Sequence, residues 1–412
     1  MLILDASYTL EIIRERGLEN SVLSRDLDGF FRHVWTVHPM ASLLTSDAWA
    51  PRYGKGNWHQ LSDRHTFVEG KVGRFGGLSR LLPVNFLLSQ LLLFLQLRRL
   101  IRRERIAIVR AGDPLYLGIF GWALARSTGA RFMIRVNGNN DKVRENTGRP
   151  AYARLFRSIE VEKRIERFVF PRCDLIAAPN QDNVDFAVGN GARADRVTIF
   201  RYGNLLAQEH LRDPEQRECD TEFFKSLRVT PGKYLLSVGR LEALKHPEDL
   251  MQVFAKVRAA GHDLDLVYAG DGSMRADLTA IADKLGVAEH VRFPGNQNQQ
   301  QLAQLNSFAT AVLSALTGRA LSESALCGAP IVAYDLDWQG DLVETGITGE
   351  LVPFRSTEAM AESVLKLLND PDYARTMGKG ARERALAMMD PERLNAHERA
   401  AYRGLLMRRE PR

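Results

Sequence analysis

Short apolar runs alternate along this chain with longer stretches in which apolar residues recur every three to four positions. The short runs indicate buried strands, and the longer stretches indicate amphipathic helices. Their alternation is typical of parallel sheets flanked by helices, so we predict an α/β fold. The predicted strands span residues 2–5, 34–37, 106–110, 132–136, 175–178, 197–201, 234–238, 264–269, 291–293, 311–314, 330–334 and 350–352.

The length of the chain predicts two domains, because 412 residues exceed what one hydrophobic core ordinarily organises. A polar, irregular stretch after residue 205 marks the junction. We predict a first domain at residues 1–205, a linker at 206–232, a second domain at 233–388, and a final helix at 389–412 that packs back towards the first domain. Two doubly wound domains joined in this way are expected to face each other across a cleft.

The segment 239–245 (GRLEALK) carries the strongest chemical signal. It follows a predicted buried strand, and open α/β sheets bind ligands at the carboxyl ends of their strands. Arg240 offers a planar fork and Lys245 a compact charge, and both suit a diphosphate. Further on, residues 318–325 (GRALSESA) follow another apolar strand and open a helix that carries Glu323. Together these features predict a nucleoside-diphosphate site, with the carboxylate on the ribose.

Composition and cysteine usage exclude several classes of protein. The chain is 45% hydrophobic and 26% charged, which is typical of a globular protein. Cys173, Cys219 and Cys327 have neither disulfide-framework nor zinc-site spacing, so we expect a reducing, cytoplasmic environment. The N-terminus has no basic segment followed by a long apolar one, and we therefore expect no signal peptide.

The charge of the chain is unevenly distributed. Residues 1–201 hold 31 basic and 20 acidic residues, a net charge of +11, whereas the remainder has a net charge of −5. This asymmetry predicts an anionic partner for the first half, and a membrane surface or a lipid-linked substrate fits it. Nucleic acid is not expected, because the basic residues are not interleaved with stacking aromatics.

Residues 84–97 (VNFLLSQLLLFLQL) form the most hydrophobic stretch, which is too short and too interrupted to span a bilayer. The favoured interpretation is a core helix whose basic C-terminal end complements the helix dipole. The alternative is a membrane-surface helix whose arginines meet anionic headgroups.

Several motifs of the second half occur in an order and spacing that resemble one known family. They are residues 237–241 (SVGRL) with Lys245, 269–272 (AGDG), 291–295 (VRFPG), 323–333 (ESALCGAPIVA) and 346–352 (GITGELV). From about residue 234 to residue 386 the chain resembles the nucleotide-binding domain of glycosyltransferase family 4. The resemblance implies the GT-B architecture, in which two Rossmann-like doubly wound domains face a cleft, and sugar transfer with retention at the anomeric carbon.

The resemblance also implies roles for individual residues. Arg240 and Lys245 are expected to hold the donor diphosphate and Glu323 the ribose hydroxyls, and these three are the expected catalytic residues. Backbone amides near Gly318 are expected to meet phosphate, which agrees with the partial positive charge at a helix N-terminus. The donor site is expected to include Gly239, Gly270, Gly272, Gly295, Asn296, Gly318, Arg319, Ala320, Asp337, Trp338 and Gln339, and the acceptor side Asn137, Gly138 and Asn139.

The sequence departs from the family pattern at several places. Ala315 stands eight residues before Glu323, where the family carries a second glutamate. Asp337 and Trp338 replace two glycines, and Asn137 stands where a histidine is usual. The glycine-rich loop usual after the first strand is also missing. Two interpretations stay open: the sugar pocket is rebuilt for an unusual donor, or the site binds a nucleotide-sugar without transferring the sugar.

The expected function is that of a hexosyltransferase. It would move a sugar from a nucleoside-diphosphate sugar, with UDP as the default nucleotide, to a hydroxyl of a lipid-linked or saccharide acceptor in cell-surface polysaccharide or glycolipid synthesis. An epimerase would need acid–base residues in a cleft that is poor in histidine. A phosphorylase would leave Glu323 without its ribose.

Asp335 and Asp337 spell the Asp-x-Asp pattern that holds a divalent ion in a different transferase fold. We nevertheless expect neither metal nor cofactor, because Arg240 and Lys245 already offset the charge of the diphosphate. The expected partners are the nucleotide-sugar, its acceptor and an anionic membrane surface. The expected location is the cytoplasm, with peripheral attachment to the inner face of the cell membrane.

Overall fold

The computed structural model describes residues 1–41, 53–201 and 206–408, which divide into two compact units. The first unit comprises residues 1–205 and 391–412, and the second comprises residues 206–390. Each unit has its own sheet and its own buried cores, so the predicted α/β fold is confirmed.

The sheet of the first unit is parallel except at one edge. Its strands are β1 Leu2–Leu4, β2 Val34–His38, β3 Asn57–Ser62, β4 His65–Glu69, β5 Ile108–Ala111, β6 Arg131–Arg135, β7 Leu175–Ala178 and β8 Val197–Ile199. They lie in the order β3-β4-β2-β1-β5-β6-β7-β8, and β3 runs antiparallel to β4. The helices are α1 Leu10–Glu15, α2 Glu19–Leu23, α3 Leu82–Arg103, α4 Tyr116–Thr128, α5 Asn140–Thr147, α6 Ile159–Val169 and α7 Gln181–Gly189.

The second unit has a parallel sheet with helices packed against it. Its strands are β9 Tyr234–Val238, β10 Asp265–Ala269, β11 Val291–Arg292, β12 Ala311–Ser314, β13 Ile331–Tyr334 and β14 Glu350–Val352, in the order β11-β10-β9-β12-β13-β14. The helices are α8 Gln208–Leu211, α9 Thr221–Leu227, α10 Pro247–Ala259, α11 Arg275–Lys284, α12 Gln299–Ser307, α13 Arg319–Leu326, α14 Gln339–Leu342, α15 Thr357–Asn369 and α16 Pro371–Met389. The strand order reverses between β9 and β12, which makes their carboxyl ends the switch point of this sheet.

The β3–β4 hairpin is a feature that the sequence pattern did not predict. Strand β4 (HTFVE) is buried along its whole length, although three of its residues are polar or charged. Strands are predicted from the periodicity and polarity of their residues. The polar His65 and Glu69 interrupt the apolar run that would indicate a buried strand, so β4 was not predicted.

Residues 206–232 differ from the predicted linker, because they form α8 and α9 within the second unit. The Phe224 ring is almost fully buried, and its centroid lies 6.0 Å from that of Tyr234 on β9. Phe224, together with the buried side chains of Leu206 and Val229, therefore ties this segment to the core of the second unit. Residues 202–205 lie outside the described part of the chain.

The final helix, α17 Pro391–Met407, belongs to the first unit. Its Glu398 lies 3.4 Å from a guanidinium nitrogen of Arg135 on β6, and both side chains are buried. The Tyr402 ring is fully buried and makes an edge contact with Phe31, with the two ring centroids 5.1 Å apart. The helix thus completes a core of the first unit.

The favoured interpretation of residues 84–97 as a core helix is wrong for the first half of α3. There the leucines are exposed, whereas the polar side chains of Asn85, Ser89 and Gln90 are buried. These polar groups hydrogen-bond the backbone of loops that follow β2 and β4, which fixes the orientation of the helix.

Candidate functional site

The switch point of the second unit brings together the two segments that the sequence analysis singled out. Residues 239–245 leave the end of β9, and residues 315–318 leave the end of its neighbour β12. Arg240, Lys245 and residues 315–317 line one small pocket at these strand ends. Ligands bind at such crevices in open α/β sheets.

Lys245 is the most strongly perturbed cation of this pocket. The pKa of its ammonium group is lowered to about 8, with burial as the largest cause; the like charge of Arg240 also lowers it, and Asp337 acts in the opposite direction. A bound anion would relieve this unfavourable desolvation and repulsion, so the arrangement favours a phosphate-type ligand.

The glycines after β10 support the loop that carries Arg240. A Cβ atom on Gly270 would lie 1.9 Å from the carbonyl oxygen of Gly239, and one on Gly272 would lie 2.4 Å from that of Leu241. The Leu241 amide also donates to the carbonyl of Asp271 at 3.0 Å. Only glycine allows this approach of the two loops, which is the structural reason for the two residues.

Helix α13 begins beside the same pocket. The N-cap residue of this helix is Gly318, which has no side chain to accept hydrogen bonds from the first amide groups. The amides of Arg319 and Ala320 are therefore suited to bind an anion. One turn further on, the Glu323 carboxylate is buried, and its Oε1 lies 2.8 Å from Nε of Arg319. The structure therefore pairs Arg319 with Glu323 along one face of the helix.

The structure places the side chains of Trp338 and Gln339, both predicted for the donor site, in the protein interior. Gln339 is fully buried; its amide group donates to the carbonyls of Ala315 at 3.2 Å and Tyr334 at 2.9 Å, and its oxygen accepts from the hydroxyl of Ser314. The Trp338 indole is also buried and donates to the carbonyl of Thr317 at 3.2 Å. Both side chains act by positioning the loop after β12.

Asp337 remains exposed and close enough to Lys245 to affect its pKa. Its φ is 59°, a left-handed conformation that favours glycine, which matches the glycine that the family pattern has there. Gly295 and Asn296 follow β11, on the far side of β10 from β9, and are not in the lining of the pocket.

The residues predicted on the acceptor side lie in the first unit, after β6. The amide of Asn137 donates to the carbonyl of Gly112, which follows β5, at 3.0 Å, and Gly138 is exposed. Asn139 caps α5, because its oxygen accepts from the amides of Asp141 and Lys142. The side chain of Asn139 is therefore occupied in holding the helix.

Two titratable groups at the strand ends of the first unit escaped the sequence analysis. Burial raises the pKa of Asp113, just after β5, to about 7, and its Oδ2 has no hydrogen-bond partner among the described residues. Burial lowers the pKa of His38, the last residue of β2, to about 4. The signal for Asp113 was its place in the loop that follows the predicted strand at residues 106–110.

Comparison with known proteins shows a similarity between the second unit and one family. Residues 219–384 match the family model described as "Glycosyl transferases group 1". An alpha-D-kanosaminyltransferase of Streptomyces kanamyceticus is 28% identical over 192 residues, which are 46% of this chain and 49% of that protein. Another relative is 24% identical over 55% of this chain and 60% of its own length. It is the N-acetylgalactosamine-N,N'-diacetylbacillosaminyl-diphospho-undecaprenol 4-alpha-N-acetylgalactosaminyltransferase of Campylobacter jejuni. The chain thus spans about half the length of the curated relatives it matches.

Among solved structures, HepE of Anabaena in complex with UDP and glucose superposes with a TM-score of 0.71 at 15% identity, over 98% of this chain and 99% of that chain. The likeness shows the fold, and the predicted GT-B type with two Rossmann-like units is confirmed. Residues 219–384 are similar to the group 1 glycosyltransferases. The predicted class of enzyme, a glycosyltransferase, agrees with this match and with the named relatives.

Proposed function

We propose that the protein is a retaining family 4 glycosyltransferase that moves a sugar from a nucleoside-diphosphate sugar, with UDP as the nucleotide, to a hydroxyl acceptor. The observation that carries the proposal is the half-buried Lys245, which lies with Arg240 at the switch point of the second unit. Two cations that are held in a partly desolvated crevice are arranged for a diphosphate. HepE binds UDP in its crystal structure, which supports UDP as the nucleotide.

The chemistry follows from the charge that develops on the leaving group. As the bond between sugar and phosphate breaks, negative charge grows on the diphosphate, and Arg240, Lys245 and the N-terminus of α13 stabilise it. The departing phosphate oxygen accepts the proton of the acceptor hydroxyl on the same face of the sugar, which leads to retention. The two cations take over the charge compensation that a metal provides elsewhere, so we propose that the reaction needs no metal.

The sugar pocket is proposed to differ from that of typical family members. Ala315 is buried and contributes only a methyl group to the lining where the family has a glutamate. Asp337 is a carboxylate near Lys245 that can take part in sugar recognition. Glu323 is proposed to accept hydrogen bonds from the ribose hydroxyls, with Arg319 holding it in place.

The proposed acceptor is lipid-linked or a saccharide, in cell-surface polysaccharide or glycolipid synthesis. The Campylobacter relative is named for a diphospho-undecaprenol substrate, and the first half of this chain has a net charge of +11. An anionic lipid-linked acceptor matches that charge. The proposed location is the cytoplasm, at the inner face of the cell membrane.

The proposal is tested first by thermal unfolding with UDP, GDP, ADP or CMP, each with and without Mg²⁺. Wild type is compared with Lys245→Ala and with the control Lys379→Ala, which removes an exposed lysine of the same unit. We expect UDP to raise the melting temperature of wild type and the control without metal, and to have little effect on Lys245→Ala. The absence of a shift with every nucleotide would overturn the proposal.

The second step measures release of UDP from UDP-sugars in the presence of a lipid-linked acceptor. Turnover that falls at least about tenfold in Lys245→Ala and in Arg240→Ala supports the transferase, because each variant loses a charge-assisted contact. Nucleotide binding without turnover of any donor would instead make the protein a nucleotide-sugar-binding protein on a degenerate fold. A shift that requires Mg²⁺ would contradict the metal-free mechanism.

A further inference from the structure

In its first three turns, helix α3 exposes its apolar face and buries its polar face, which is the reverse of the usual amphipathic helix of a water-soluble protein. The leucine face, which we define as Val84, Leu87, Leu88, Leu91, Leu92 and Leu95, is exposed. Leu87 keeps 67% of its surface accessible and Leu91 55%. Helices of globular proteins bury such a stripe, and contiguous exposed apolar patches mark interaction sites.

Three polar residues of the same turns, Asn85, Ser89 and Gln90, are buried and hydrogen-bonded inside the protein. The Asn85 oxygen accepts from the amides of Arg74 at 2.7 Å and Phe75 at 3.0 Å. The Ser89 hydroxyl donates to the carbonyl of Lys71 at 2.8 Å, and the Gln90 oxygen accepts from the hydroxyl of Tyr116 at 2.7 Å. Rotating the helix to hide its leucines would break these buried hydrogen bonds, so the orientation is specified.

The leucine face continues into basic residues along the same side of the helix. Arg99, Arg102 and Arg103 are exposed in the last turns, and Arg80 is exposed just before the helix begins. We propose that this face is a docking surface for an anionic lipid bilayer, with the leucines among the acyl chains and the arginines on the headgroup phosphates. A second copy of the chain would bring further arginines to the same place, whereas anionic headgroups complement them.

The geometry favours a helix that lies on the membrane over one that crosses it. The segment Gly76–Arg103 is long and apolar enough to cross a bilayer by length and composition. The leucine face, however, extends over only about 17 Å at 1.5 Å per residue, and the hydrocarbon core is about 30 Å thick. The opposite face of the helix packs on α4, as the edge contact between Phe94 and Phe120 shows.

The test is flotation of the full chain with vesicles of phosphatidylcholine alone or mixed with phosphatidylglycerol, at low and high salt and without nucleotide. We expect binding to the anionic vesicles at low salt and weaker binding at high salt. Leu87→Asn/Leu91→Asn is expected to weaken partitioning by at least about tenfold. Arg80→Gln/Arg99→Gln is expected to weaken it about tenfold on anionic vesicles only.

The matched control is Leu285→Asn/Leu386→Asn, which replaces two exposed leucines of the second unit and is expected to bind vesicles as wild type does. All three variants are expected to keep the melting temperature and the UDP response of wild type, so failure here is separable from failure of the proposed function. Equal flotation of wild type and Leu87→Asn/Leu91→Asn would overturn the proposal. A dimer in solution that this variant dissociates, or attachment that resists high salt and alkaline carbonate, would overturn it in favour of a self-interface or a spanning helix.

Discussion

Nε of Arg319 lies 2.8 Å from Oε1 of Glu323, one turn further along α13, and the Glu323 side chain is almost fully buried. The pair joins the residue proposed to hold the ribose to the first residue of the helix that faces the diphosphate. Arg319 keeps 28% of its side-chain surface accessible and Glu323 only 3%, so loss of the partner is expected to cost more free energy for Glu323 than for Arg319. A buried carboxylate without a counter-charge is costly, whereas a partly exposed guanidinium is solvated.

This asymmetry predicts opposite rankings for stability and for nucleotide affinity. Arg319→Ala is expected to lower the free energy of unfolding by about 2 kcal/mol, and Glu323→Gln by less than about 1 kcal/mol. Glu323→Gln is expected to weaken UDP binding by about tenfold, and more than Arg319→Ala does. Urea titration and calorimetric titration measure the two quantities. The same ranking in both experiments would contradict a ligand-binding role for Glu323.

The pKa of Lys245 predicts a pH dependence of nucleotide binding. In the free protein burial lowers this pKa to about 8, and a bound diphosphate raises it, so binding above pH 8 takes up a proton. We expect the affinity for UDP to be nearly constant between pH 7 and pH 8, where the terminal phosphate of UDP is already ionised, and to fall by up to about tenfold per pH unit above pH 8. Calorimetric titrations in two buffers with different ionisation enthalpies measure both the affinity and the proton uptake.

Lys245→Arg is the matched control for this pH dependence, because a guanidinium stays charged throughout the range. Its affinity for UDP is expected to be flat from pH 7 to pH 9.5. A slope in the variant equal to that of wild type would assign the titration to another group.

The contact between the glycine loops predicts a severe effect of one methyl group. Gly270→Ala is expected to cost about 3 kcal/mol or more in unfolding free energy and to abolish the UDP response, because its Cβ would lie 1.9 Å from the carbonyl oxygen of Gly239. Gly340→Ala is the control, since its Cβ would meet neighbouring atoms only at ordinary contact distances, the nearest at 3.5 Å. The melting temperatures of both variants are measured by thermal unfolding. A wild-type melting temperature for Gly270→Ala would contradict the close contact between Gly270 and the carbonyl of Gly239.

Asp113 predicts that protonation stabilises the first unit. Its folded pKa is about 7, above the ordinary value of 3.8, so the folded state holds the proton more tightly than the unfolded state. That stabilisation is complete below about pH 4 and is lost as the pH rises through 7. Relative to Asp113→Asn, the unfolding free energy of wild type is expected to fall by up to about 1.4 kcal/mol per pH unit between pH 5 and pH 7. Urea titrations of both proteins at pH 5, 6 and 7 measure it, and a rise instead of a fall would contradict the assignment.

Much of the architecture follows from local patterns in the chain. Strands such as Tyr234–Val238 and Ala311–Ser314 lie where their apolar runs predicted them, because a strand buried on both faces must be apolar at every position. The Arg240 and Glu323 segments could be assigned to strand ends for the same reason. The β4 strand shows the limit, since its polar residues are buried through contacts with partners that local polarity does not reveal.

The sequence by itself determined the α/β class, the position of residues 239–245 after a buried strand and the resemblance of residues 219–384 to group 1 glycosyltransferases, because each of these depends on local sequence motifs. Only the tertiary structure decided which way α3 faces, that Gln339 positions a loop 24 residues earlier, and that Asp113 is desolvated. The physical reason is common to all three. Burial and hydrogen bonding depend on neighbours that folding brings from elsewhere in the chain. An amphipathic pattern shows that a helix has an apolar and a polar face, but it does not show which face packs against the rest of the protein.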